Sequence, residues 1–338
     1  MYLIIFCSIS NHSRRCRELL TAGQVFFILS IKESYMKCFR LSFLFFFLLF
    51  LSDNARTQNK ITIALWGDSR ENLDHACEQI ASVLEHQITN WDVQVHTGDF
   101  THHGTEADWQ RTLAFPGIKD LYVPDKFLLC TSNHDAGGEG GNSITVRDIY
   151  DKHTRGILPI NDADSTTHFY AWHKGNVHIV VIDAYFSDSA TEQHWLDLYL
   201  DHVKQGEWLI GVWHNPAYGF TYKETYLDHC RGWLESLSRH SGDFVFNGHV
   251  HVYVRTKRLL PDGTVDGKKG LIHIINGTGG ASWKDPVPMN PQIAFTLPVK
   301  SFPVITFITF EGGIAKLRTV DARPESHLKI IDSCTITK

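Results

Sequence analysis

With 338 residues and 43% apolar side chains, the chain is long enough for one large α/β domain or two small ones with a substantial core. Its formal net charge of −5 argues against the basic surface of a protein built to grip a nucleic-acid backbone. No internal repeat or low-complexity tract follows residue 60.

The uncharged run LSFLFFFLLFL over 41–51 is too short for a bilayer-spanning helix, which takes about 20 apolar residues. Lys37 and Arg40 precede it, Met36 stands just before them, and Ser52 and Ala55 follow. A basic start, a short apolar centre and small residues at the exit describe a secretory signal peptide over 36–55. Asp53 fits the cleavage rule poorly, and an uncleaved signal anchor is the rival reading. The expectation is an N-terminal extension over 1–55, translation from Met36, and export to an extracellular or periplasmic space. Of the seven cysteines, Cys7, Cys16 and Cys38 fall in the extension. Cys77, Cys130, Cys230 and Cys334 remain, which permits disulfides in an exported protein or buried free thiols.

Ile61-Thr62-Ile63-Ala64-Leu65-Trp66 predicts a strand that ends in Gly67-Asp68-Ser69-Arg70. Helical spacing over 72–89 places Leu73, Ala76, Ile80, Val83, Leu84 and Ile88 on one face. A second strand over 93–97 ends in Gly98-Asp99. Ligand-binding groups gather at the carboxyl ends of strands in such units, although an aspartate there also serves as a helix cap. A third strand over 126–130 runs into Thr131-Ser132-Asn133-His134-Asp135. The glycine-rich loop that follows, 137–141, lacks P-loop spacing.

Further along, 177–182 predicts a strand ending in Asp183, and 191–203 a helix. The strand over 208–213 is stopped by His214-Asn215-Pro216. A helix over 227–239 precedes a strand over 243–246 and the motif Asn247-Gly248-His249-Val250-His251. Residues i and i+2 of extended backbone project to one side, so both imidazoles can enter one space. Imidazole is a ligand for zinc, iron and manganese, although histidines in a loop are also ordinary polar residues. Asp-Gly turns at 262–263 and 266–267 predict hairpins, one of them closed by Asn276-Gly277-Thr278-Gly279-Gly280. A last hairpin, 304–310 with 314–320, turns around Gly312-Gly313, and this β-only part predicts a second sheet packed on the first. Asn276-Gly277-Thr278 has the form of a glycosylation sequon. His75, His86, His168 and His229 have no motif around them and read as surface or structural residues.

Five strand ends thus carry, in order, Asp68, Asp99, Asn133-His134, His214 and His249-x-His251. In this order the chain resembles the calcineurin-like metallophosphoesterases over nearly all of 60–320. VWHNPAY, NGHVHVYVRT and YAWHKGNVHIVVIDAYF, the last followed by Gln193-His194-Trp195-Leu196, resemble the purple acid phosphatase branch. The resemblance implies an α/β fold of two mixed β-sheets sandwiched between helices, with a dinuclear metal site at the C-terminal ends of strands. It gives a catalytic domain over 60–322 and a tail of the same domain over 323–338. It implies Asp68 and His251 on one metal, Asn133, His214 and His249 on the other, Asp99 bridging both, and His134 beside the centre.

The family's first motif is commonly Asp-x-His, whereas here it is Asp68-Ser69-Arg70, and arginine cannot serve as that ligand. Purple acid phosphatases also lack that histidine and use a tyrosine three residues after the bridging aspartate, a position held here by His102. His102 is therefore the candidate replacement ligand, with His103 behind it. Without a phenolate a purple ferric site is not expected, which leaves two divalent ions of zinc, manganese or iron. Ser132 replaces the usual glycine before Asn-His and removes no ligand. Arg70 either clamps a phosphate oxygen pair with its planar fork or forms a salt bridge.

The implied activity is that of a secreted phosphohydrolase acting on a small phosphorylated substrate, with a water shared by the metals as nucleophile. His134, Arg70 and Asp99 are its candidate catalytic residues, His134 stabilising charge on phosphorus or protonating the leaving oxygen. A phosphodiesterase acting on nucleotides or lipids shares the same centre, and a degenerate phosphate-binding relative without turnover is the non-enzymatic alternative. Segments 137–142, 218–224 and 283–291 are candidates for the substrate rim. No nucleic-acid scaffold is expected as a partner, and no membrane span after signal removal.

Overall fold

The computed structural model describes residues 60–138, 144–160, 165–220, 226–285 and 287–338. The signal-like segment, Cys7, Cys16, Cys38 and parts of all three rim segments lie outside those residues.

Strand β1 (Ile61–Trp66) is buried along its whole length because it lies inside a six-stranded sheet, between two neighbours. On one side it pairs in parallel with β2 (Val93–His96), which pairs in parallel with β3 (Phe127–Leu129). The second sheet has seven strands. Its parallel part is β5 (Val177–Val181), β6 (Trp208–Val212), β7 (Phe244–Asn247) and β9 (Leu271–Asn276). Antiparallel β4 (Tyr170–Lys174) flanks β5, and β8 (Tyr253–Leu259) with β10 (Ile293–Thr296) extends the other side.

Period-two alternation sorts the second sheet's faces. Ile179, Ile210 and Phe246 enter the core shared with the first sheet, where Trp208 packs 5.2 Å from Phe310 between ring centroids. Val180, Leu209 and Val245 face the other way, onto Trp195 and Leu196 of α5 (Ser189–Leu200) and Trp233 and Leu237 of α6 (Leu227–Arg239). Each such side chain contributes roughly 1.5–3 kcal/mol by leaving water. On the first sheet, α1 (Ala76–Ser82), α2 (Glu106–Leu113) and α3 (Ile118–Leu121) supply Cys77, Ile80, Trp109 and Ile118 to the same core. Helix α4 (Ile144–Thr154) adds Tyr150.

Two mixed sheets with helices confirm the predicted architecture, but the last strands sit elsewhere than expected. β11 (Val304–Glu311) pairs antiparallel with β1, and β12 (Ile314–Asp321) and β13 (Ile330–Thr337) continue outward from it. The C-terminal hairpin therefore completes the first sheet instead of founding the second, because β1 has a free edge that only a late strand covers. The predicted helix over 72–89 is also shorter. Asn72, Asp74 and His75 adopt left-handed backbone, Leu73 is exposed, and the regular helix starts at Ala76 and widens into a π turn over Val83–Gln87. Helix α5 starts at Ser189, two residues before the predicted start, because the Asp188 carboxylate accepts the Thr191 N–H at 3.0 Å as an N-cap.

The cysteine alternatives resolve to free thiols, with Cys77, Cys130 and Cys230 buried and Cys334 half-buried. The sequon is not a surface site. Asn276 is fully buried, and its amide donates to the carbonyls of Leu65 at 3.0 Å and Val304 at 3.3 Å.

One buried acid has a consequence for stability. Glu192 of α5 accepts the backbone N–H of Asp183, and burial, followed by the Asp183 charge, pushes its carboxyl from 4.5 up to about 9. The folded state thus favours protonated Glu192. Its contribution is full below about 4.5 and is lost as pH rises towards about 9. A tenfold change in proton affinity corresponds to about 1.4 kcal/mol. Glu192→Gln keeps an accepting oxygen and cannot ionise. Its stability is expected to gain on that of the native chain steadily from pH 5 to pH 9, on the order of several kcal/mol across the range. A constant difference across that range in thermal melts would refute the account.

Candidate metal centre

The site is built at the carboxyl ends of β1, β2, β3, β6 and β7, which deliver Asp68, Asp99, Asn133, His214 and the His249–His251 pair. Asp68, Asp99, His249 and His251 all have positive φ, from 49° to 70°. That left-handed backbone is uncommon outside glycine, costs energy, and is concentrated at functional turns. Two glycines allow the close approach. A Cβ on Gly98, whose φ is +89°, would lie 2.8 Å from His214 Nδ1. A Cβ on Gly248 would lie 2.3 Å from Asp68 Oδ2.

One set of donors converges on His214. Its Nδ1–H donates to the Thr97 carbonyl at 2.6 Å, which turns Nε2 inward. Nε2 lies 3.2 Å from Asp99 Oδ1 and 3.3 Å from His249 Nδ1. His249 Nε2 has the Tyr226 hydroxyl at 3.3 Å, and its Nδ1 faces Asn133 Oδ1 at 3.2 Å. Asp99 Oδ1 is buried and accepts no hydrogen bond from any described residue. A carboxylate oxygen, two imidazole nitrogens and an amide oxygen thus follow one another in steps of 3.2, 3.3 and 3.2 Å. This donor chemistry fits a divalent cation of the zinc, manganese or iron class.

A second set comprises Asp68, Asp99 and His251, whose ligand atoms lie within 4.8 Å of one another. Burial, opposed by His214 and reinforced by Asp99, raises the Asp68 carboxyl to about 6. Burial acts the same way on Asp99, but His214, then His251 and Arg70, outweigh it and hold that carboxyl well below its usual range. The expected alternatives for Arg70 resolve towards a salt bridge. Nη1 donates to Asp99 Oδ2 at 2.6 Å and to His251 Nε2 at 3.1 Å, and Nη2 lies 3.3 Å from Glu71. This second set is thus already engaged by a cation of the protein itself and fits a metal ion poorly.

His134 is half-buried beside the centre, with Nδ1–H donating to the His102 carbonyl at 2.7 Å. His102 is not in the Asp68–Asp99–His251 cluster. Its ring sits 4.2 Å from that of His103 and 5.4 Å from that of His134, and its carbonyl accepts the His134 Nδ1–H. His103 is exposed, 3.8 Å from Asp108. Ser132 donates to Asp135 at 2.7 Å, and Asp135 also accepts the Thr101 N–H and hydroxyl at 2.8 Å each, which fixes the turn after Asp99. Tyr226, Thr97, Asp135 and Ser282, whose carbonyl accepts His251 Nδ1–H at 2.9 Å, were not marked in the sequence as site residues. No residue-type pattern encodes a main-chain carbonyl.

A family model described as calcineurin-like phosphoesterase matches residues 48–253. The chain belongs to the calcineurin-like phosphoesterase family. Relatives within it are purple acid phosphatases. Purple acid phosphatase 18 of Arabidopsis thaliana is 32% identical over 255 residues, covering 68% of this chain and 54% of that protein. Purple acid phosphatase 15 of the same plant is 33% identical over 135 residues, 38% of this chain and 25% of the relative. The chain thus spans between a quarter and about half the length of these curated relatives. The purple acid phosphatase PPD1 structure from yellow lupin shares the calcineurin-like fold. Its TM-score is 0.64 at 17% identity, with 82% of this chain and 54% of that one covered.

Proposed function

We propose that the chain is an exported, metal-dependent hydrolase of phosphate monoesters. The observation that carries this reading is the row of Asp99 Oδ1, His214 Nε2, His249 Nδ1 and Asn133 Oδ1 at the strand ends, each 3.2 or 3.3 Å from the next. A divalent ion held there would supply Lewis acidity, polarising a phosphoryl oxygen and making water acidic enough to attack near neutral pH. Against burial, a protonated His214, then His251 and Arg70, hold Asp99 anionic, and a cation taking the His214 Nε2 lone pair would replace that proton. Thr97 and Tyr226 fix the imidazole orientations. His134, with Nδ1–H committed to a carbonyl, presents Nε2 as the nitrogen for a proton at the leaving oxygen.

A cavity of 640 Å³ supports a substrate with an apolar leaving group. It is lined by Gly219, Phe220, Trp283, Lys284, Val287 and Met289, which come from two of the expected rim segments. Trp283 directly follows Ser282, the residue that orients His251. Among the described residues no helix is long and apolar enough to cross a membrane. Export itself rests on the 36–55 signal-like pattern.

The test is an assay of metal-loaded native chain on p-nitrophenyl phosphate and bis-p-nitrophenyl phosphate. Monoester turnover is expected to dominate. Faster diester cleavage would move the assignment to phosphodiesterase, and no turnover with metal bound would favour a binding protein. His134→Gln is expected to lower kcat by about 100-fold or more at unchanged metal content. An unchanged kcat would remove His134 from the mechanism.

A further inference from the structure

We propose that the Arg70 guanidinium stands in place of one of the two cations implied by the resemblance, so that the native chain holds a single divalent ion at Asp99, Asn133, His214 and His249. The inference rests on the metal-dependent reading of the site given above.

Arg70 reaches two of the three members of the second donor set. Nη1 lies 2.6 Å from Asp99 Oδ2 and 3.1 Å from His251 Nε2. His251 donates its one ring N–H, on Nδ1, to the Ser282 carbonyl, so Nε2 is a lone-pair nitrogen that accepts from Arg70. Both oxygens of Asp68 accept the His249 backbone N–H, at 2.9 and 3.1 Å. Each member of the trio that would bind an ion thus already has a partner within the protein.

The arginine is also held in place. The N–H groups of Ser69 and Arg70 both donate to the Asp99 carbonyl at 3.0 Å, so the turn carrying the guanidinium is tied to the carboxylate it neutralises. Its side chain is 8% exposed, and Glu71 braces the outer nitrogen at 3.3 Å. A guanidinium cannot shed its charge at any working pH. A divalent ion placed among Asp68, Asp99 and His251 would meet that charge at contact distance, with like-charge repulsion little screened in a buried site. One ion and one guanidinium then share Asp99, one on each carboxylate oxygen. A planar cationic fork beside a metal also suits the non-bridging oxygens of a phosphoryl group.

Titration of metal-free native protein with Mn2+ tests this. Bound metal is counted after desalting, and the electron paramagnetic resonance spectrum is recorded at saturation. The expected result is a single equivalent with the six-line signal of an isolated ion. Arg70→His, which restores the family's imidazole, is expected to take a second equivalent and give an exchange-coupled spectrum. Arg70→Ala is the control for a variant that does not fold. Two equivalents with coupled spins in the native chain would overturn the proposal and leave the phosphohydrolase reading intact. So would a single equivalent in every folded variant, since Arg70 would not then be what excludes the second ion. No bound metal at all would overturn both.

Discussion

Replacing Asp99 by asparagine is expected to abolish turnover and to destabilise the fold together. The carboxylate is 1% exposed and touches Arg70 at 2.6 Å and His214 at 3.2 Å. An amide of the same shape balances neither. Arg70 would then keep only Glu71, at 3.3 Å, as a counter-charge, and removing one partner of a buried pair costs up to about 3–5 kcal/mol. The ion site loses its only carboxylate at the same time. Urea unfolding midpoints, metal content and p-nitrophenyl phosphate turnover measure the three effects. A variant with native stability would show that Arg70 is not dependent on Asp99, and one with near-native turnover would end the assignment of the site.

The second large effect is expected from Gly248→Ala. The added Cβ would lie 2.3 Å from Asp68 Oδ2, 2.8 Å from Thr97 Oγ1 and 2.9 Å from the Thr97 carbonyl oxygen. Those atoms cannot retreat freely, because Asp68 receives the His249 N–H and the Thr97 carbonyl receives His214 Nδ1–H. Overpacking of this kind costs about 1–3 kcal/mol. A disturbed Thr97 also releases the imidazole it orients, and loss of such outer partners weakens metal binding roughly 10–100-fold. Thermal melts and Mn2+ titration read the two quantities. Unchanged melting and affinity would mean that the backbone turn has slack not visible in its contacts.

The strands and the polar residues at their exits were legible in the sequence for the same reason. A short run of Ile, Val and Leu followed by Gly-Asp, Asn-His or His-Asn is a buried strand with a polar group at its exit, and Asp68, Asp99, Asn133, His214, His249 and His251 all stand at such exits. Sheet membership was not legible, because pairing of β11 with β1 links residues such as Ile63 and Ile308 that share no local pattern. Helices α2, α3 and α4 and strands β4, β10 and β13 also escaped. β13 begins with an exposed isoleucine, Ile330, and β10 is mostly half-buried, so alternation was weak in both. Whether Arg70 would clamp phosphate or form a salt bridge could not be read from spacing, since it depends on how the turn after β1 aims the guanidinium at Asp99.

The donors come from both layers of the sandwich: Asp99 and Asn133 hang from one sheet, His214 and His249 from the other. Neither layer alone holds a usable half of the site, so an ion can bind tightly only after the layers have met. Its binding energy consequently acts as a clamp across the seam, about 4 kcal/mol at a free metal concentration a thousandfold above Kd. Chelators should therefore loosen the seam between the sheets before they disturb either sheet, and metal supply should govern how long the chain withstands a protease.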